Sequence, residues 1–72
     1  MVETNLLKGR IAMAGLTQGV VANRMKMGAN TFSAKVNGKS PFDVDEVVLL
    51  CKILNITEDR EKIEIFLPET SR

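Results

Sequence analysis

The stretch "LTQGVVANRMKMGANTFSAKVNGK", Leu16 to Lys39, constrains this chain more than any other. Thr17 opens it as a helix N-cap, and Val21, Ala22 and Met25 fall on one face at helical spacing. Lys26, Met27 and Gly28 then interrupt the pattern, with Met27 as an apolar plug. A second helical run follows over 29–37, with Phe32 and Val36 inward at i, i+4 and Asn37-Gly38 as its left-handed stop. Two helices of about eight residues joined by three or four residues are the dimensions of a helix-turn-helix, whose second helix fits the major groove. Ala22 is small where the two helices would cross. The same spacing also suits a plain helical hairpin.

The flanks read as helices too. A first helix is expected from about Asn5 to Ala14, capped by Thr4 or Asn5, with Leu7, Ile11 and Ala14 inward and Gly15 as its stop. Pro41 and Phe42 anchor a loop. Asp43 caps a fourth helix with the stripe Val44, Val47, Leu50, Cys51 and Leu54, and Asn55 ends it. Thr57 is the expected cap of a short fifth helix that buries Ile63, Phe66 and Leu67, with a polar tail from about Pro68. The expected architecture is all-α: one compact five-helix domain over residues 1–72, with the helix-turn-helix at its second and third helices.

A chain of 72 residues buries only about 60% of its unfolded surface, enough to fold alone with modest stability. Its 44% apolar content and mean hydropathy of +0.01 are ordinary for a globular domain. No apolar run reaches the roughly 18 residues a bilayer demands, and no signal pattern opens the chain. Cys51 is the one cysteine and has no disulfide partner within the chain. Together these point to the cytoplasm, no membrane, and Cys51 as a small buried hydrophobe. With no His, Tyr or Trp, no phosphate loop and no metal spacing, neither catalysis nor a cofactor or metal is expected.

Net charge is +1, but it is unevenly distributed. Through Ser40 there are six basic residues (Lys8, Arg10, Arg24, Lys26, Lys35, Lys39) against Glu3 alone, a net +5. From Pro41 there are four against eight acids, a net −4. A basic half containing the paired helices hints at a polyanion-binding face. Attraction between the two halves accounts for the same asymmetry.

The pattern "LTQ..VA..M.MG.....A..NG" resembles the Cro/CI-type, lambda-repressor-like helix-turn-helix domains, from about Leu7 to Ile56 and including the helix "DVDEVVLLCKILNI". "GRIAMAGLTQ" and "TFSAKVNGKSPF" are further similar to short regulators of temperate phages of lactic-acid bacteria. The resemblance implies a regulator of a phage lysis–lysogeny switch. Such a protein either binds the phage CI-type repressor and alters or blocks its operator binding, or binds operator DNA itself as a Cro-like homodimer. It also implies roles for residues. Gln18 matches a backbone-bracing position, and Asn30 a reading position where a carboxamide pairs with adenine. Thr31 and Ser33 are placed for a thymine methyl or a phosphate. Asn37, Lys39 and Ser40 match a backbone-clamping loop, and Lys35 completes the DNA-binding set. Asn37 equally serves as a helix cap.

The departures from that family are specific. Ala29 and Ala34 stand where longer side chains often reach bases, Gly28 replaces a possible hydroxyl cap, and Gly19 weakens the second helix by up to ~1 kcal/mol. Each bidentate base contact supplies ~1–3 kcal/mol of discrimination, so weak DNA reading is expected. Val48, Leu49 and Ile53 lie off the core stripe of the fourth helix; Leu49 and Ile53, an i, i+4 pair, are candidates with Val20 and Met13 for a repressor-facing anchor unless the last helix covers them. Asp45 and Glu46, from an acidic group that includes Asp43, Glu58, Asp59 and Glu61, would face a repressor's basic surface unless they only meet solvent.

Overall fold

The computed structural model describes residues 2–70, except the side chains of 67–70. It holds five helices: α1 (Thr4–Met13), α2 (Gln18–Arg24), α3 (Ala29–Val36), α4 (Val44–Leu54) and α5 (Asp59–Thr70). No strand occurs among the described residues. The radius of gyration of 10.8 Å compares with about 11 Å for a compact chain of this length.

One device ends four of the helices. After each, a residue takes the left-handed conformation: Gly15 (φ 74°), Lys26 (φ 59°), Gly38 (φ 80°) and Asn55 (φ 57°). The amide after it reaches back five residues, from Leu16 to the Ile11 carbonyl, Met27 to Ala22, Lys39 to Ala34 and Ile56 to Cys51. This is the Schellman arrangement, which satisfies carbonyls a helix end leaves without partners. In three cases the residue supplying that amide is apolar. Ile56 is buried, and Leu16 and Met27 pack against the core, so each reversal also adds to the interior. Three of the four left-handed positions carry Gly or Asn, as the backbone prefers. Lys26 does not, and it sits in the turn between α2 and α3.

The helix starts are less uniform. Thr17 Oγ1 accepts the Val20 amide at 3.2 Å. Asp43 and Glu46 form a full capping box on α4. Thr4 is not a cap: Glu3 precedes α1 without a side-chain cap bond, and Thr4 Oγ1 instead donates to the Val36 carbonyl at 2.7 Å, joining α1 to the end of α3. Thr57 is not a cap either, because α5 begins at Asp59 and its first turn closes from the Lys62 amide to the Glu58 carbonyl.

The core gathers Leu7, Ile11, Val21, Ala22, Met25, Phe32, Val36, Leu50, Cys51 and Leu54 as the periodicity predicts. Phe42 lies at its centre, edge-on to Phe32 and Phe66 with ring centroids 6.1 Å apart in both pairs. Three expected core residues are exposed. Ala14 has passed the end of α1, and Leu16 packs inward in its place. Val44 faces out because Phe42, on the other side of the Asp43 cap, takes the interior with Val47. Ile63 is exposed and Ile65 buried. There the segment before α1 docks on α5, with Val2 buried and the Glu3 amide donating to the Ile65 carbonyl at 2.9 Å. The α5 backbone continues past Pro68, where a stop was expected; so near the end of a helix, a proline removes a single late bond. The expected burial of Leu67 lies outside the described side chains.

Candidate functional site

α2, the turn 25–28 and α3 form one packed unit. Ala22 is buried, so its lack of bulk lets α3 lie close. Phe32 and Val36 are fully buried beneath α3 and fix its rotation. That rotation turns Ala29, Asn30 and Thr31 to solvent and leaves Ser33 and Ala34 half-buried. The outward surface of α3 therefore consists of methyl, carboxamide and hydroxyl groups with short reach. Gly28 precedes α3 as an N-cap without a side-chain bond. A Cβ there would meet nothing nearer than Thr31 Oγ1 at 3.9 Å, so the bareness is not imposed by packing.

Asn37 does cap the helix. Its Nδ2 donates to the Ser33 carbonyl at 2.9 Å and lies 3.3 Å from Ser33 Oγ. This uses the donor of Asn37 and engages Ser33. Lys39 is exposed beyond it, and Ser40 is half-buried. The Lys39 and Ser40 amides both turn back to the Ala34 carbonyl, at 2.8 and 3.4 Å. Gln18 is half-buried at the start of α2.

Lys35 is engaged within the fold. Its ammonium is paired with Glu46 Oε1 across the α3–α4 junction, with the two side chains 16% and 22% exposed. Arg10 is similarly committed. Its Nη2 donates to the Leu54 and Asn55 carbonyls at 3.1 and 3.3 Å, capping the end of α4. Its Nε lies 3.1 Å from Glu61 Oε2, a charge contact without the alignment of a hydrogen bond. Both pairs join the basic half of the chain to the acidic half. Attraction between the halves thus accounts for two of the six early cations. Lys8, Arg24, Lys26 and Lys39 remain exposed, with no ion pair among the described residues.

The four residues expected to meet a protein partner divide. Asp45 and Leu49 are exposed. Glu46 is occupied by Lys35 and by the Asp43 amide, which donates to its Oε1 at 3.0 Å. Ile53 packs against the core. Val48 is exposed on α4 as expected, and Val44 joins it. A shallow groove lined by Val47, Val48, Cys51, Lys52, Ile56 and Lys62 runs beside them. Burial pushes the Cys51 thiol up, with Glu61 adding to the effect and Lys62 opposing it.

Among the described residues no cluster of His, Cys, Asp or Glu could hold a metal ion, and no helix is long and apolar enough to cross a membrane. Comparison with protein-family models, curated proteins and solved structures gave no match.

Proposed function

We propose that this protein is a phage genetic-switch regulator of lambda-repressor-like fold, with α2–turn–α3 as its helix-turn-helix. It acts as a modulator of repression: it binds a CI-type repressor and alters or blocks that repressor's operator binding. One observation carries the choice of an interaction protein over a DNA reader. The outward surface of α3 offers only short side chains, and Lys35, the longest side chain on α3, is held by Glu46. Without reach into the groove, a helix in this position supplies little base discrimination. Exposed Asp45 and Leu49, with Val44 and Val48 beside them, supply an acidic and apolar surface for a protein partner.

A second reading, an autonomous Cro-like repressor on a palindromic operator, is favoured by Arg24, Lys26 and Lys39. These cations flank α3 and make no ion pair among the described residues. Gel shifts with this chain alone, the repressor alone and both together separate the two. Loss or change of the repressor's shift, with none from this chain alone at physiological salt, supports the modulator. A tight, sequence-selective shift by this chain alone establishes the Cro-like reading and overturns the first.

A further inference from the structure

The exposed face of α4 is complementary to itself. Asp45, Val48, Leu49 and Lys52 are all exposed and follow one another at i, i+3, i+4 and i+7. They therefore form a single stripe about two turns long, roughly 10 Å. Val48 and Leu49 are 50% and 40% exposed at its centre, and Val44, 70% exposed, extends it. The ends carry opposite charges, and neither Asp45 nor Lys52 makes an ion pair among the described residues.

A two-fold axis passing between Val48 and Leu49, perpendicular to the helix, brings a second copy into antiparallel register. Asp45 then faces Lys52 of the other copy at both ends, and Val48 faces Leu49 at the centre. Such an isologous contact repeats each pair twice, which is how a small patch becomes a closed interface. Antiparallel helices also set opposite dipole ends side by side. The groove beside Val48, floored by Cys51 and Ile56, leaves room for an apolar side chain of the second copy.

We infer that this chain self-associates through α4, as an antiparallel symmetric dimer with an apolar centre and two Asp45–Lys52 pairs. One helix face on each side falls short of the roughly 800 Å² per partner of a standard interface, which places the contact among weak, concentration-dependent associations. Self-association of this kind needs no repressor. Where one is present, it competes for Asp45 and Leu49, and self-association sets how much free monomer can capture it.

Sedimentation equilibrium of the full chain, from about 10 µM to 1 mM at low salt, tests it. The mass should rise from monomer to dimer. Asp45→Lys alone and Lys52→Asp alone each turn two attractions into two repulsions and should weaken the dimer about tenfold or more. The double variant, Asp45→Lys with Lys52→Asp, should restore it, although both changes oppose the helix dipole. Val48→Ser should weaken association without altering its salt dependence. Circular-dichroism melts verify that each variant is folded. A monomeric mass up to 1 mM overturns the inference, as does a dimer indifferent to the single charge reversals or one that the double reversal fails to rescue.

Discussion

Lys35 and Glu46 meet through one carboxylate oxygen, Oε1, which also accepts the Asp43 amide at 3.0 Å. The same atom thus closes the capping box of α4 and holds the last turn of α3. A residue that the family resemblance assigns to DNA is here part of the scaffold. Removing the carboxylate by Glu46→Ala should cost ~1–2 kcal/mol, since it deletes half of a capping box and leaves a half-buried ammonium without its anion. Lys35→Met, which keeps the aliphatic stem, should cost less than ~1 kcal/mol. Urea melts of the two variants and their combination measure the coupling. Additive effects would mean that the pair holds nothing together.

Lys26 occupies the left-handed position that Gly15, Gly38 and Asn55 hold at the other three helix ends. A side chain in that conformation costs roughly 1–2 kcal/mol, offset in part by the flexibility a glycine would bring. Lys26→Gly should raise stability by about 0.5–1 kcal/mol, and Lys26→Val should lower it by more than that. A thermal melt decides. No gain from glycine would remove the backbone strain attributed to this turn.

Any binding of the isolated chain to duplex DNA should rest on phosphates. With three to five contacts, log K should fall against log salt with a slope of roughly −3 to −4.5. Lys35→Gln should leave that slope unchanged, whereas Lys39→Gln should make it shallower by about 0.9. Ala29→Gln, on the exposed start of α3, should tighten or sharpen binding. Fluorescence anisotropy at several salt concentrations checks all three. An effect of Lys35→Gln equal to that of Lys39→Gln would show that the ion pair with Glu46 opens on DNA.

The Cys51 thiol is buried on α4 and its pKa is raised, chiefly by desolvation. The folded state therefore holds its proton more firmly than the unfolded chain. Stability from this group is present at neutral pH and declines once the pH rises past the ordinary thiol range near ~8.5, where the unfolded form ionises first. Cys51→Ala should abolish that decline. Thiol labelling at pH 8 should be slow in native buffer and fast in denaturant, because only the thiolate reacts. Equal rates in the two conditions would place the thiol in solvent.

Most helix ends were legible in this chain, with Thr4, Thr57 and Pro68 as exceptions, because capping is decided within four or five residues. Thr17, Asp43, Gly15, Gly38 and Asn55 all act where their chemistry and spacing predict, whereas Glu46, expected to face a partner, completes the capping box of α4 instead. The inward faces of α2 and α3 follow from periodicity for the same reason, and with them the bare outward surface of Ala29, Asn30 and Thr31. Other outcomes depended on what arrives from far along the chain. Ile65 rather than Ile63 is buried where the segment holding Val2 and Glu3 meets α5, more than 60 residues away in sequence. Phe42, in a loop, becomes the centre of an aromatic row because α3 and α5 bring Phe32 and Phe66 to it. Lys35 and Arg10 carry the same charge as Lys39 and Arg24, yet among the described residues only the first two find anions, since the chain reversal between α3 and α4 and the packing of α1 on α5 put Glu46 and Glu61 within reach. Local chemistry determined where α1 to α4 stop and most of the stripe that each buries. Tertiary packing decided which of these charges were neutralised and which remained exposed among the described residues.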